Sequence, residues 1–282
     1  MDSSFEHCQR LVAEIDRDRF LATLFAPADK RGALFALYAF NAEITRVREL
    51  ARQPLPGEIR LQWWREVLGG ERAGEAAAHP VAAAVLDTLK RYAIAPAPLL
   101  ALIDAHSFDL YDEPMARLAD LADYSGKTSA TLLAIGAQIL GGRGASVDTL
   151  AMHSGLAYGY AGLLSGFARH AARRQLYLPL ELLDRCGADR NDIVAGKTSP
   201  QLLAALADMR ALVRHHLAAA NALLAEAPAA ILPALLPVAL VRVLLAGMDK
   251  PGYDPFRPNE LPAWRRQWLL WRAARDQRRI FA

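Results

Sequence analysis

Residues 31–41 read RGALFALYAFN, and the spacing of their apolar side chains predicts an α-helix. Leu37 and Tyr38 follow Leu34 by three and four residues, which places all three on one face of a helix. Alanine and leucine, both strong helix formers, dominate this segment and much of the chain. The same interval returns later, at Leu203, Leu206, Met209 and Val213. The pattern predicts an all-α fold.

Signals for strands and for domain boundaries are scarce. The chain has little alternation of apolar and polar residues and no Asn-Gly or Asp-Gly hairpin turn. Most prolines and glycines lie between the periodic segments. No repeat is visible and no linker is long enough to separate two domains, so we expect one domain over residues 1–282. The predicted helices lie near residues 5–25, 28–50, 57–69, 79–92, 97–112, 116–141, 147–171, 179–184, 200–226, 228–247 and 260–280.

Composition and charge exclude several classes of protein. Hydrophobic residues make up 53% of the 282 positions and charged residues 22%, which excludes intrinsic disorder. The net charge is only +3, and no recognition motif accompanies the basic residues, so we expect no nucleic-acid partner. Cys8 and Cys186 have no metal-ligand spacing, which favours a reducing compartment.

The N-terminus and the most apolar stretch bear on localisation. Residues 1–7 contain no basic segment followed by an apolar run, so no signal peptide is predicted. Residues 227–248 have about the length that spans a bilayer. However, they contain Pro233, Pro237 and Arg242, which favours a buried core helix. We therefore expect a cytoplasmic protein.

The motifs of common hydrolases and nucleotide-binding proteins are missing. The sequence has no Gly-x-Ser-x-Gly elbow and no His-Glu-x-x-His pair. Gly126-Lys127-Thr128 is similar to the end of a phosphate-binding loop, but Leu121 stands where that loop requires glycine. Hydrolysis and nucleotide binding are therefore not predicted.

Four fragments spread along the chain form a recognisable series. They are residues 31–41, Arg60-Leu-Gln-Trp63-Trp64-Arg65-Glu66, the segment from Gly155 to His170, and Tyr177-Leu178-Pro179. In this order and at these distances they resemble the squalene/phytoene synthase family. The resemblance covers about residues 10–280. It implies a bundle of antiparallel helices around a central cavity, and an enzyme that joins two prenyl diphosphates with the help of Mg²⁺.

The two metal-binding regions of that family are altered in this chain. Mg²⁺ prefers hard oxygen ligands, and an Asp-x-x-x-Asp pair places two carboxylates on one helix face. The corresponding positions here are Thr45, Arg46 and Glu49 in the first region and Gly166 and His170 in the second. Near the N-terminus, residues 18–20 (Asp-Arg-Phe) replace the Ser-Phe pair that contacts diphosphate in the family. We predict no catalytic residue, no metal ligand and no cofactor; Mg²⁺ would be needed only by an active transferase.

A subset of the family shares these losses, and the chain resembles it in further segments. The shared segments are residues 59–64, 124–133, 173–179 and 256–258 followed by a Trp- and Arg-rich helix. The members of this subset assist the assembly of respiratory complex I. The resemblance implies complex I subunits or other assembly factors as partners. The missing targeting sequence and the Ala-, Arg- and Leu-rich composition indicate a bacterial member.

Basic residues gather beside the second altered region and at the first. They predict an anion or ligand site at the mouth of the cavity, because arginine binds phosphate and carboxylate groups with two parallel hydrogen bonds. The alternative is a solvated basic helix end, which the helix dipole favours. The candidate residues are Arg48, Arg169, Arg173, Arg174 and Tyr177.

The C-terminal segment is the most basic and aromatic part of the chain. Trp264, Trp268 and Trp271 are four and three residues apart and share one helix face. Two interpretations stay open: the tryptophans pack in the core beneath a solvated arginine face, or the helix docks on an anionic membrane or an acidic partner. Docking would place the protein peripherally on the inner membrane.

Four glycines recur at Gly155, Gly159, Gly162 and Gly166. Glycine costs about 1 kcal/mol relative to alanine inside a helix, so this helix is expected to pack closely against a neighbour or to form a bare cavity wall.

Three functions follow from the sequence. The first is an inactive synthase-like protein in complex I assembly with a lipid-sized cavity. The others are an active transferase with an atypical metal site and a carrier that binds an isoprenoid lipid.

Overall fold

The computed structural model describes residues 3–51 and 53–281, and in these ranges the ordered elements are all helical. The predicted all-α class is confirmed. The first half contains α1 (Ser3–Ile15), α2 (Arg17–Thr23), α3 (Ala28–Thr45), α4 (Val47–Leu50), α5 (Pro54–Gly69), α6 (Ala73–Ala78), α7 (Pro80–Arg91), α8 (Ala97–Ser107), a 3₁₀ turn (Phe108–Leu110) and α9 (Leu118–Ser125).

The second half begins with a π-helix, Gly126–Ala130, which leads directly into α10 (Thr131–Ile139). The α-helices that follow are α11 (Ala145–Ser165), α12 (Phe167–Ala172), α13 (Leu180–Cys186), α14 (Arg190–Val194), α15 (Pro200–Leu223), α16 (Leu232–Leu235), α17 (Val241–Met248) and α18 (Ala263–Arg275). Further 3₁₀ turns are Leu224–Glu226, Ala229–Ile231, Leu236–Leu240 and Gln277–Arg279.

Three predicted helices are each broken in two. The helix predicted over 147–171 divides at Gly166 into α11 and α12, and the other two breaks lie beside the cavity described below. The continuous helix predicted over 5–25 is wrong because Asp16 is an N-cap: its side chain accepts a hydrogen bond from the Arg19 amide at 3.0 Å and starts α2. The helix predicted over 28–50 ends at Thr45, whose hydroxyl donates to the Asn41 carbonyl at 3.0 Å. Side-chain bonds to the backbone often accompany such breaks.

The apolar segment after α15 also differs from its prediction. Residues 228–247 form three short 3₁₀ and α-helical segments followed by α17 rather than one continuous α-helix, with Pro233 and Pro237 at the start of successive segments. Leu235, Leu236 and Val238 are buried in the core. In the described part of the chain, Ala229–Met248 alone has the length and composition to cross a membrane, and 56% of its most apolar window is buried inside the protein.

The arrangement of the long helices determines where the cavity lies. α11 packs against α15 on one side and against α10 and the π-helix on the other, while α3 packs against α1, α7 and α10. Leu34, Phe35 and Phe40 of α3 are almost completely buried and belong to a hydrophobic core that continues into α11 and α15. The result is an antiparallel bundle whose helices enclose a central cavity.

Candidate functional site

The central cavity has a volume of about 540 Å³. It is lined by residues of eleven helical segments, the 3₁₀ turn and the π-helix included, by the junctions before α2 and α4, and by the loop after α12. Its wall is rich in charge: five arginines and three carboxylates line it. The arginines are Arg19, Arg46, Arg48, Arg169 and Arg173, and the carboxylates are Asp16, Glu49 and Asp109. A pocket of this size is typical of small-molecule sites.

Most of the residues that the sequence singled out meet at this cavity. At the altered metal regions, Thr45, Arg46, Glu49 and His170 line it, and so do the candidate anion-binding residues Arg48, Arg169, Arg173 and Tyr177. Two predicted residues are not in the lining. Arg174 is exposed and follows α12 in a left-handed conformation with φ of 59°. Gly166 lies behind His170, whose Cε1 would be 2.7 Å from a Cβ at this glycine.

A salt bridge joins the first altered metal region to an arginine that follows the second. Arg173 Nη1 lies 3.1 Å from Glu49 Oε1, although 124 residues separate them in the sequence. Glu49 is thereby neutralised by a guanidinium group. Arg48 makes a second bridge, 3.1 Å long, to Asp112 outside the lining.

The groups at these positions do not fit Mg²⁺. The first region offers one hydroxyl, one guanidinium and the ion-paired Glu49, and Mg²⁺ prefers several free oxygen ligands. At the second region, burial and the charge of Arg169 lower the pKa of His170 from 6.5 to about 4, so it is a neutral imidazole at pH 7. Across residues 3–51 and 53–281, no cluster of three or more His, Cys, Asp or Glu side chains is arranged to hold a metal ion.

Arg19 is the most deeply buried charge in the cavity wall, with an exposed fraction of 6%. Its Nη1 lies 2.9 Å from Asp16 Oδ2, and its guanidinium carbon lies 5.3 Å from the ring centres of both Tyr38 and Tyr158. Burial acts to lower the pKa of Arg19, but Asp16 and the tyrosines outweigh it and raise that pKa. The sequence identified this position only as a replacement of Ser-Phe, and its burial depends on the helix break at Asp16.

A second buried network centres on Asp109, which sequence reasoning missed. His106 Nδ1 lies 2.6 Å from Asp109 Oδ2, the Tyr177 hydroxyl donates to Oδ1 at 2.6 Å, and the Tyr124 hydroxyl donates at 3.1 Å. Burial and the Asp109 carboxylate raise the pKa values of both tyrosines, so they remain protonated donors. Gln175 Nε2 donates to the Asp109 carbonyl at 3.1 Å. The one available signal was the three-residue spacing of His106 and Asp109.

The glycines of α11 divide between a packed surface and the cavity. A Cβ at Gly155 would lie 2.2 Å from Ala130 Cα, and one at Gly159 would lie 3.0 Å from Ser129 Oγ, so both glycines pack against the π-helix. A Cβ at Gly162 would meet nothing within 4 Å, and Gly162 lines the cavity. Of the two alternatives that the sequence offered, close packing holds at Gly155 and Gly159, and a bare cavity wall holds at Gly162.

The three tryptophans of α18 are exposed and lie outside the hydrophobic core. Trp264 is 68% exposed, Trp268 45% and Trp271 43%, whereas the residues that α18 buries are Leu270 and Ala273. The interpretation that the tryptophans pack in the core is wrong. Aliphatic side chains on the opposite face make that contact instead.

The fold and the altered site define the class of protein. A sequence profile described as squalene/phytoene synthase matches residues 12–272. The chain therefore belongs to the squalene/phytoene synthase family. A crystal structure of a dehydrosqualene synthase in complex with ligand has the same fold, with a TM-score of 0.83, 18% sequence identity, and coverage of 96% of this chain and 95% of that one.

Among curated relatives, the chain is similar to assembly factor 6 of NADH dehydrogenase (ubiquinone) complex I from Homo sapiens. The two are 25% identical over 90% of this chain and 76% of the human protein. The chain is also 25% identical to 15-cis-phytoene synthase from Synechocystis, over 70% of this chain and 61% of that enzyme. The predicted family and its complex I assembly-factor subset are confirmed by these relationships.

Proposed function

We propose that this protein acts in the assembly of respiratory complex I and does not catalyse metal-dependent joining of prenyl diphosphates. The Glu49–Arg173 salt bridge carries the proposal, because it engages the one carboxylate left at the positions where a transferase needs free carboxylates. The similarity to complex I assembly factor 6 over 90% of the chain supports the assembly role. Its partners would be complex I subunits or other assembly factors.

Prenyl transfer requires that the diphosphate leaving group be stabilised. Ionising an allylic diphosphate creates a concentrated negative charge, which Mg²⁺ ions neutralise by direct coordination. Thr45, Gly166 and His170 provide no carboxylate for such ions. Polar groups and apolar side chains such as Ile15, Leu132 and Leu163 share the cavity wall in nearly equal measure. The carrier alternative is therefore separated from the assembly role by experiment.

The activity assay for this proposal uses the purified protein with farnesyl or geranylgeranyl diphosphate and Mg²⁺. We expect no condensed product above background. Turnover that disappears when EDTA is added would overturn the inactive assignment and favour the transferase alternative. Isoprenoid found by mass spectrometry of lipids extracted from the purified protein would favour the carrier alternative.

The assembly role is tested in cells. Deleting the gene should lower NADH-driven quinone reduction by isolated membranes, and the wild-type gene should restore it. The matched variant Glu49→Gln breaks the salt bridge to Arg173 and removes the only carboxylate at the altered metal positions. If the protein has no metal-dependent activity, this variant should also restore respiration. Undiminished quinone reduction in the deletion strain would refute the assembly role.

We further propose that α18 docks on the anionic surface of the inner membrane. Its exposed tryptophans are accompanied by cations: the Arg272 guanidinium carbon lies 4.3 Å from the centre of the Trp268 ring, and that of Arg275 lies 4.0 Å from the Trp271 ring. Asp276 is the single acid in residues 263–279. Tryptophan favours the interface between lipid and water, and each arginine near an anionic bilayer contributes about 1 kcal/mol.

Vesicle sedimentation tests this docking surface. The protein should bind vesicles that contain phosphatidylglycerol at low salt, and binding should weaken as added salt shortens the screening length. Replacing Arg265, Arg272 and Arg279 by Gln should abolish binding without changing the melting temperature. The matched control replaces three exposed arginines elsewhere, Arg10, Arg60 and Arg91, by Gln. Equal losses in the two triple variants, or no binding by the wild type, would refute a specific surface.

A further inference from the structure

Three buried polar atoms that belong to cavity-lining residues have no hydrogen-bond partner. They are Arg19 Nε, His106 Nε2 and Ser125 Oγ, and each belongs to a residue that lines the cavity and is at least 94% buried. More than about nine in ten buried polar groups in native proteins are hydrogen-bonded. All three residues line the same cavity, so unused hydrogen-bonding capacity lies directly behind its wall. Arg19 Nε–H and the Ser125 hydroxyl are donors, so they would suit a ligand rich in acceptor oxygens.

The charges of the lining show which acceptor fits. Of the five arginines, Arg19 pairs with Asp16, Arg173 with Glu49, and Arg48 with Asp112 outside the lining. The third carboxylate of the wall, Asp109, already accepts hydrogen bonds from the network of His106 and two tyrosines.

Two cations remain. Within the described ranges, Arg46 and Arg169 line the cavity without any ion-pair partner. The cavity therefore presents two positive charges that no carboxylate neutralises.

We propose that the cavity binds a phosphate monoester without a metal ion, with Arg46 and Arg169 contributing the charge and Arg19 the buried donor. A phosphate monoester carries about −1.5 to −2 charges at pH 7 and three acceptor oxygens. It therefore matches two free guanidinium groups better than a carboxylate, which carries one charge. Guanidinium forks bind phosphate oxygens in pairs. Here arginines take the place of the divalent cations that the family implies.

This site goes beyond the assembly role and does not depend on it. Calorimetry in EDTA tests it with glycerol 3-phosphate as the probe, glycerol as the uncharged control and pyrophosphate as the more highly charged competitor. We expect binding of glycerol 3-phosphate that Mg²⁺ does not strengthen, no binding of glycerol, and weaker binding of pyrophosphate. Dihexanoyl phosphatidic acid presents the same phosphate on a lipid, so its affinity relative to glycerol 3-phosphate distinguishes a lipid headgroup from a soluble metabolite.

Arg169→Gln and Arg174→Gln form a matched pair, because both residues are exposed and five positions apart but only Arg169 lines the cavity. Arg169→Gln and Arg46→Gln should each weaken binding at least tenfold, while Arg174→Gln should leave it unchanged. In the wild type, the ligand should also shift the ¹⁵N resonance of His106 Nε2.

Several results would overturn this proposal. They are no binding of either phosphate monoester at millimolar concentration, binding that requires Mg²⁺, and an equal loss of affinity in Arg169→Gln and Arg174→Gln. None of them depends on quinone reduction or on prenyl transfer, so failure of this site can be told apart from failure of the assembly role.

Discussion

Gly155 and Gly162 both belong to the series of glycines in α11, but their surroundings are opposite. Gly155 allows the backbone of the π-helix to approach so closely that an added Cβ would lie 2.5 Å from the Ala130 amide nitrogen. Two turns further on, Gly162 faces empty space within the cavity. Glycines at one regular spacing therefore have two different effects. At Gly155 the close approach of the π-helix leaves no room for a Cβ, whereas at Gly162 the missing side chain leaves volume in the cavity.

The strongest test of this contrast is Gly155→Ala. The new Cβ would meet backbone atoms of Ala130, which cannot move aside as a flexible side chain would, so α11 and the π-helix must separate. We expect a loss of about 2–3 kcal/mol in the free energy of unfolding, measured by urea denaturation. Gly74→Ala is the control, because a Cβ at this helical glycine meets nothing within 4 Å. If Gly155→Ala left the free energy of unfolding unchanged, the packing of α11 against the π-helix would not be tight.

The second-largest expected effect is a loss of folding stability at low pH, caused by a histidine pair on the packed side of α11. His153 Nδ1 on α11 lies 2.9 Å from His216 Nδ1 on α15, so one imidazole must donate and the other accept. Burial, with the neighbouring His153 and His215, lowers the pKa of His216 from 6.5 to about 4. Unfolded chains therefore bind the proton more readily between these values, and stability should fall as the pH drops from 6.5 to 4. We expect a loss on the order of 2 kcal/mol, allowing for partial exposure.

The matched variant for this test is His216→Phe. It should retain more stability than the wild type between pH 6.5 and pH 4, with some decline left because His170 titrates in the same window. Proton-detected NMR should find the imidazole of His216 neutral at pH 5 in the wild type. Identical pH profiles for the two proteins would show that the histidine pair does not contribute.

Gly162→Leu probes the glycine that faces the cavity. Its side chain should enter the cavity and lower the affinity for glycerol 3-phosphate at least tenfold, about 1.4 kcal/mol, while the melting temperature stays close to that of the wild type. Gly74→Leu places the same side chain on an exposed helix and should leave the affinity unchanged. A large fall in melting temperature for Gly162→Leu would contradict the assignment of this glycine to the cavity wall.

The smallest expected effect has the opposite sign to the first. Gly162→Ala adds a methyl group to open space in a helix interior, so it should stabilise the protein by about 0.5–1 kcal/mol. Thermal denaturation monitored by circular dichroism would detect the shift. Destabilisation would mean that Gly162 is as tightly packed as Gly155.

The helical class and most helix positions could be predicted from the sequence, because apolar spacing and helix propensity are local properties. The breaks could not. Asp16 reads as an ordinary solvent-facing residue in a periodic segment, and its role as a cap depends on the path the chain takes into α2. The π-helix likewise lies in a region that reads as one continuous helix, and its position opposite Gly155 exists only in the packed bundle.

The sequence by itself determined the family, the missing carboxylates and the two concentrations of arginine. The tertiary structure decided which charges face inward. Arg173 reaches Glu49 across the cavity while Arg174 points to solvent, although the two are adjacent in sequence. The tryptophans of α18 are exposed because Leu270 and Ala273 occupy the contact with the core. The sequence states which residue types are present. The direction of a side chain and its partners depend on where helices end and on which elements pack together, and only the folded chain determines these.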